Sequence, residues 1–538
     1  MKKLKKILLL SHRYVGIAIS ALVVMWFATG ITMMYVGGMP RLTPEMRLER
    51  MTPVDLSRVR LTPAQAAAAA EFGAPPTRAT LLSILGRPVY RFGGNGGGTI
   101  IYADNGEVAD EFSEAQTRDI AARFMRVAIE RVEYLGTIDE PDQWTLGMSR
   151  ALPLHKFAVD DDLGSEVYVS PVNGDAAMLT TTKTRTYAWI STIPHFLYFT
   201  ALRNNQPVWY RLLVWTSALA AALAVVGLVL GIMFYRRGRT TWSSAIPYTG
   251  WMRWHYVTGI VFGVFSVTWA FSGLVSMEPW AWTNQRGIEL RPGALTGGRL
   301  DLAAFKPMDT AAWNRLLAGA ALKEVDLVRM HGEHYYVVRR TFEEGRDLGK
   351  RERIHQPYQV GGRVDPDRLI VSAATLEPRT APFSTNAIVE RVRNAVTTAP
   401  IAAAELLTDY DSYYYSRRAQ TPLPVVRIKF EDKAQTWLYI DPELNQQLAS
   451  IPRYARLERW LYNGLHSFDF GYLYQRPLWD ILMLVLLVGG LISSTLGLYL
   501  GMKRVLGFSG GMVRGFRLGT LEPRNLRTLN PRSFVRRS

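Results

Sequence analysis

Four stretches of this 538-residue chain are apolar for long enough to cross a bilayer, which takes ~20 residues. No other feature limits the fold as severely. They run over residues 13–36, 209–235, 255–277 and 479–502. The first follows MKKLKK, as the core of a secretory leader would. It is too long for one, and its spelling returns in the third stretch, so it reads as an uncleaved span.

Charge orients the spans. The net charge is +17, and +16 of it lies in three short segments: four Lys in residues 1–6, four Arg in 236–253, and nine Lys or Arg against Glu522 in 503–538. Positive segments stay cytoplasmic. All three fall on one side if the chain crosses four times. The basic excess then reports topology and removes the support for a nucleic-acid partner that it would otherwise lend. The expected order is a cytoplasmic N-terminus (1–12), span 13–36, an outer segment (37–208), span 209–235, a cytoplasmic loop (236–254), span 255–277, a second outer segment (278–478), span 479–502 and a basic cytoplasmic tail (503–538) near anionic lipid.

The two outer segments have ordinary soluble composition. The chain has no cysteine, which excludes disulfides, iron–sulfur clusters and covalently attached c-type haem. The run GGNGGG (93–98) joins VYRF to TIIYAD and reads as a hairpin loop; no helix follows it to make a phosphate cradle.

The chain repeats itself. HRYVGIAISALVVMWFATG (12–30) and HYVTGIVFGVFSVTWAFSG (255–273) share a histidine, a glycine four residues on, a tryptophan fourteen on and a glycine eighteen on. PVWYRLL (207–213) matches PLWDILM (477–483), and GLVLG (227–231) matches GLYLG (497–501), both at an offset of 270. PLHKFAVDDDLGSEVYVSPVNGD (153–175) matches PVVRIKFEDKAQTWLYIDPELNQ (424–446). The expected fold is a four-helix transmembrane bundle built from two tandem repeats, each with an outer α+β domain.

The span pattern His-x3-Gly…Trp…[Ser/Thr]-Gly, the stretch DSYYYSRR…LPVVRIKFED…TWLYIDP and RWLYNGLHSFDF resemble the PepSY-associated transmembrane family. The segment 62–108, a short helix and then a hairpin ending in Asp-x-Gly, is similar to a PepSY unit. The resemblance implies a bacterial inner-membrane protein with periplasmic PepSY-like domains. Some members of the family reduce ferric siderophores through b-type haem in the helix bundle.

Ionisable residues at the edge of a span point to function. Of eight histidines, four sit at span mouths: His12 and His255 on the cytoplasmic side, His195 and His466 on the outer side. Haem iron in an electron-transfer site takes two axial ligands, and neutral imidazole is a common one. The expected cofactors are two b haems, one held by His12 and His255 and the other by His195 and His466. Gly16 and Gly259 leave room for a flat macrocycle, or simply let helices approach. Trp26 and Trp269 pack between helices or touch haem. Arg13 and Arg253 are candidate partners for haem propionates inside, Arg456 and Arg459 outside. A straight helix would hold His195 ~20 Å beyond the membrane, so PHFLYFTAL is expected to lie along the interface and fold His195 back over the bundle; LHSFDFGYLY does the same for His466.

Two weaker features remain. The Tyr- and Arg-rich loop with Tyr413, Tyr414, Tyr415, Arg417 and Arg418 either faces outward, where it could hold an aromatic or anionic chelate, or packs over the bundle. His331, His334 and His355 lie in the second outer segment at spacings poor for a metal. Three functions stay open. The chain passes electrons from a cytoplasmic-side donor or a membrane quinol to a periplasmic ferric chelate or protein, as a ferric-siderophore reductase would. Or it is a non-catalytic anchor whose PepSY-like domains bind or regulate a periplasmic partner. A transporter fits less well, since no span carries a midplane acid or base.

Overall fold

Each apolar run folds as one helix longer than the hydrocarbon it must cross: Lys2–Met33, Gln206–Phe234, Gly250–Val275 and Leu478–Gly511. All four are long and apolar enough to span a membrane. They are the first to fourth spans below. At ~1.5 Å per residue they measure roughly 39–51 Å against a ~30 Å core, so their ends project. His12 and His255, expected at the span mouths, both lie within these helices, His12 about 15 Å from the start of its own. The computed structural model describes all residues except Met1, Gly37, Glu71, Gly73, Ala74, Asn95, Gly96, Arg237, Thr240, 281–285, 341–367, 416–420, 474–476 and 512–538.

The first and third spans each pack between the second and the fourth, closing a four-helix ring. Close approach is allowed by glycine on the fourth span. A Cβ added at Gly489 or Gly490 would stand 2.3 Å from the rings of Phe262 or Phe27, a distance that small-residue packing between membrane helices exists to avoid. Trp251 and Trp254 near one end of the bundle and Trp280 near the other are exposed, as residues of an interfacial belt are.

Three antiparallel sheets lie beyond the spans. The strands are β1 Ala79–Ile84, β2 Arg87–Gly94, β3 Gly97–Tyr102, β4 Val132–Ile138, β5 Leu154–Val159, β6 Glu166–Val169 and β7 Ala176–Thr180 before the second span. After the third span come β8 Leu322–Met330, β9 Glu333–Arg340, β10 Arg368–Ser372, β11 Ile401–Leu407, β12 Val425–Phe430, β13 Trp437–Asp441 and β14 Gln446–Ile451. Sheets β4-β5-β6-β7 and β11-β12-β13-β14 each belong to one segment. Helix Glu114–Met125 covers the first with Ile120, Ala121 and Phe124; helix Thr385–Ala395 covers the second with Ile388 and Val392.

The third sheet crosses between segments, in the order β10-β9-β8-β1-β2-β3. The two outer segments are thus joined through backbone, where the sequence treated them separately. The seam is β1 against β8, with Leu81 opposite Val325 and Leu82 opposite Glu324. Its cause is physical: a three-stranded meander leaves an open edge, and pairing two such edges removes both. β1 is consequently buried on both faces. Leu81 joins a core with Trp313 and Tyr336, and Leu82 joins one with Phe157 and Val167.

Ion pairs tie the seam. Arg47 contacts Glu324 of β8 at 2.7 Å and Asp175 at 3.3 Å; Arg91 reaches Asp175 at 2.7 Å, and Arg339 reaches Glu324 at 3.0 Å. Burial pushes the Asp175 carboxyl up, but Arg47 and Arg91 together hold it down at about 2.

Candidate functional site

A cavity of about 1790 Å³ runs between the spans, larger than the ~300–1,000 Å³ that one small ligand usually needs. All four span-associated histidines line it. His12 and His255 mark the terminal end, where the first span begins and the fourth ends, and His195 and His466 the end nearer the sheets.

At the terminal end the rings of His12 and His255 stand with centroids 6.3 Å apart and planes inclined at 35°. His12 Nδ1 lies 3.2 Å from the carbonyl of Leu223 on the second span, and His255 Nδ1 lies 3.1 Å from the carbonyl of Ser493 on the fourth. A carbonyl only accepts, so Nδ1 carries the proton and Nε2 of the neutral ring keeps its lone pair. Each ring also rests on a glycine: an added Cβ at Gly227 would meet His12 Cε1 at 2.8 Å, and one at Gly497 would meet His255 Cε1 at 3.1 Å.

At the sheet end the histidines come from outside the spans. Helix Thr192–Phe196 carries His195 and ends on Leu197 in the left-handed region (φ 51°). Helix Leu465–Ser467 carries His466 after a π-turn over Trp460–Gly464 and ends on Phe468 (φ 46°). Both turn the chain back toward the bundle. Helices this short leave their terminal carbonyls unpaired, and tryptophans of the spans supply the donors. Trp26 Nε1 donates to His195 O at 3.0 Å and Trp209 Nε1 to Phe196 O at 2.9 Å. Trp269 Nε1 donates to His466 O at 2.9 Å and Trp479 Nε1 to Ser467 O at 2.8 Å. The rings of His195 and His466 are again 6.3 Å apart, nearly perpendicular at 81°. Their Nδ1 atoms lie 2.9 Å from Thr29 Oγ1 and 3.0 Å from Ser272 Oγ.

Two imidazoles bound through Nε2 on opposite sides of one metal would have ring centres about 6–6.5 Å apart, from two ~2.0–2.1 Å metal–nitrogen bonds and the half-width of each ring. Both pairs have that separation. Among the described residues neither pair gains a third His, Asp or Glu to make a metal-holding group; each offers a metal two imidazoles.

The cations divide differently from expectation. Arg13 lines the terminal end of the cavity together with Lys6, Arg236, Lys503 and Arg504, and no Asp or Glu is among the described lining residues. Arg253 is not in that wall and donates to Ser243 Oγ at 3.0 Å. Arg456 donates to the carbonyls of Gln435 and Ile451 and covers the Trp437 ring. Arg459 donates to Ser412 O and faces Asp469 at 3.6 Å. Both are held in the sheet-side packing by the carbonyls and rings beside them.

Among its described residues, Tyr413, Tyr414 and Tyr415 of the tyrosine loop pack inward. Tyr414 is fully buried and stacked on Tyr439 at 4.8 Å. Asp411 turns the loop inward by accepting from the amides of Tyr413 and Tyr414 at 2.7 and 2.6 Å, and Tyr415 donates to Asp469 at 2.6 Å. Arg417 and Arg418 lie outside the described residues, as does His355. His331 contacts Asn445 Oδ1 at 3.1 Å, and His334 Nε2 accepts from Asp301 N at 3.1 Å, so neither is turned to the other. On helix Arg453–Arg459, burial and then the neighbouring Glu278 push the Glu458 carboxyl up to about 7.

Reading the sequence alone missed Thr29, Ser272, Trp209, Trp479, Gly227 and Gly497. Each nevertheless falls in a repeated spelling: the [Ser/Thr]-Gly pair, PVW against PLW, and GLVLG against GLYLG.

Four apolar helices around one cavity, with antiparallel sheets and helices beyond them, define a multi-pass membrane protein with α+β domains. The family model described as PepSY-associated TM region (PepSY_TM) matches residues 9–504, and the chain belongs to that family. No curated protein matches it.

Proposed function

We propose that this protein carries electrons across the bacterial inner membrane through two b-type haems and delivers them to a periplasmic acceptor, with ferric iron in a siderophore as the intended one. The observation that carries the reading is two imidazole pairs, each with ring centroids 6.3 Å apart, lining opposite ends of one cavity between the spans. Haem held by His12 with His255, and by His195 with His466, would supply one-electron exchange, so the pairs would relay electrons.

The chain's own residues do the rest. Leu223 and Ser493 orient the terminal-side imidazoles through their carbonyls. Lys6, Arg13, Arg236, Lys503 and Arg504 give carboxylates of a bound macrocycle cationic partners at that end. The apolar wall excludes water. Seventeen residues separate His12 from Thr29, the contact of His195, about 25 Å along the helix; two stations therefore divide a ~30 Å core between them. A cytoplasmic-side protein or a membrane quinol supplies the electron, and one electron converts a ferric chelate to ferrous outside.

The positive segments support cytoplasmic termini and periplasmic sheets. The matched contacts support two tandem copies of one unit: Trp26 with Trp269, Trp209 with Trp479, and Thr29 with Ser272 serve His195 and His466 alike.

The test is spectral. His12→Ala and His255→Ala should each remove the same haem component, the double variant losing little more, as residues acting as a unit do. His195→Ala should remove the other component. Reduction of an external ferric chelate should fall in every single variant. If the two terminal-side variants remove different components, the pairing is wrong; if wild-type protein is colourless, the helices are an anchor for the outer domains.

A further inference from the structure

We propose that the hydroxyls of Thr29 and Ser272 are positioning residues that hold the imidazoles of His195 and His466 in the Nδ1–H tautomer, leaving Nε2 as the atom available to a metal. At the terminal end the same task falls to backbone carbonyls, where the direction of the bond is unambiguous. A hydroxyl can donate or accept, so its direction has to be found from its other partner.

Thr29 Oγ1 lies 2.7 Å from Met25 O and 3.2 Å from Trp26 O, within its own helix. Ser272 Oγ lies 3.1 Å from Trp269 O. We assign the single hydroxyl proton to the helix carbonyl, the usual arrangement for Ser and Thr inside a helix. Each hydroxyl then has only lone pairs to offer, and the ring nitrogens 2.9 and 3.0 Å away are the donors. Thr29 is 6% exposed and Ser272 fully buried, so water does not substitute for either acceptor. The relay is directional: backbone carbonyl, hydroxyl, imidazole N–H, free Nε2. Polarisation along such a chain strengthens each link.

The consequence for a cofactor rests on the haem reading above; the tautomer does not. An acceptor on the outer nitrogen raises the basicity of a ligating imidazole and fixes its ring, and its loss typically costs roughly 10–100-fold in affinity. Lowering the basicity of the ligand would cost ferric iron more stabilisation than ferrous iron, so the midpoint potential would rise.

Ring nitrogen-15 spectra of the full-length protein without haem, with His195 assigned by its loss in His195→Gln, read the tautomer directly. Wild type should show Nδ1–H at His195 and His466. Thr29→Val, which keeps the shape and removes the acceptor, should move His195 toward Nε2–H; Thr29→Ser should restore it; Ser272→Ala should do the same to His466. In haem-loaded protein Thr29→Val should raise the potential of the sheet-side component and leave the other unchanged. Wild-type His195 found as Nε2–H, or a Thr29→Val spectrum identical to wild type, would overturn the proposal. A wild type that binds no haem would sink the electron-transfer reading, while the nitrogen spectra still decide this one.

Discussion

Replacing Gly227 by alanine tests how closely the terminal-side imidazole is held. The new Cβ would stand 2.8 Å from His12 Cε1, 3.4 Å from Nδ1 and 3.7 Å from Nε2. Carbon atoms in contact settle at ~3.5–4.0 Å, so the ring must retreat by about 0.7 Å or the second span must move. The bond from His12 Nδ1 to Leu223 O is already 3.2 Å long, and a retreat of that size takes it past hydrogen-bonding range. Inserting a methyl into close packing costs ~1–3 kcal/mol. Loss of the carbonyl partner should weaken haem binding at this pair by roughly 10–100-fold. At Gly497 the corresponding gap to His255 Cε1 is 3.1 Å, so Gly497→Ala should act on the same component and less strongly. Haem retention of each spectral component through size-exclusion chromatography is the assay. Sheet-side haem unchanged, terminal-side haem lost, and Gly227→Ala worse than Gly497→Ala is the expected pattern. Retention of the terminal-side component in Gly227→Ala, or loss of the sheet-side one, refutes the reasoning.

Three further outcomes follow from other parts of the molecule. Arg47→Met should destabilise the outer sheets by ~2–3 kcal/mol in denaturant titration; Arg91 and Arg339 still face the abandoned carboxylates, which keeps the loss below the ~3–5 kcal/mol of an orphaned buried charge. The Glu458 carboxyl, raised from 4.5 to about 7, favours the folded state when protonated, so its contribution is fully present below pH 4.5 and lost as pH rises through 7. Glu458→Gln should therefore raise the thermal midpoint at pH 8 and leave it unchanged near pH 4. A reporter fused to the C-terminus should be active only as a cytoplasmic fusion, because the basic excess of the sequence falls in three segments that four crossings put on one side; periplasmic activity would reverse the orientation.

The spans were legible because ~20 apolar residues in a row admit few other readings. The return of His195 to the bundle was legible from path length: fourteen residues and the break at RNNQP cannot be a straight extension of the second span. The seam of β1 with β8 was not. Strand partners 242 to 248 residues apart share no local signal, and alternation tells which face is buried without naming the neighbour. Tyr413–Tyr415 illustrate a different limit. A loop rich in Tyr beside Arg has the same composition whether it greets solvent or plugs a core, and the amide bonds to Asp411 that decide the matter are visible only in three dimensions. Thr29 and Ser272 stood in the repeated pattern as one letter of a helix-packing pair; their neighbour is a histidine 166 or 194 residues away.

The central claim is that this bundle exists to hold two haems between histidine pairs. A pyridine haemochrome determination on detergent-purified protein from haem-replete cells measures it most directly. Two b haems per chain, extractable by acid acetone because no cysteine can attach them, is the predicted result. One haem per chain would remove a pair from the account, and a value near zero would contradict it.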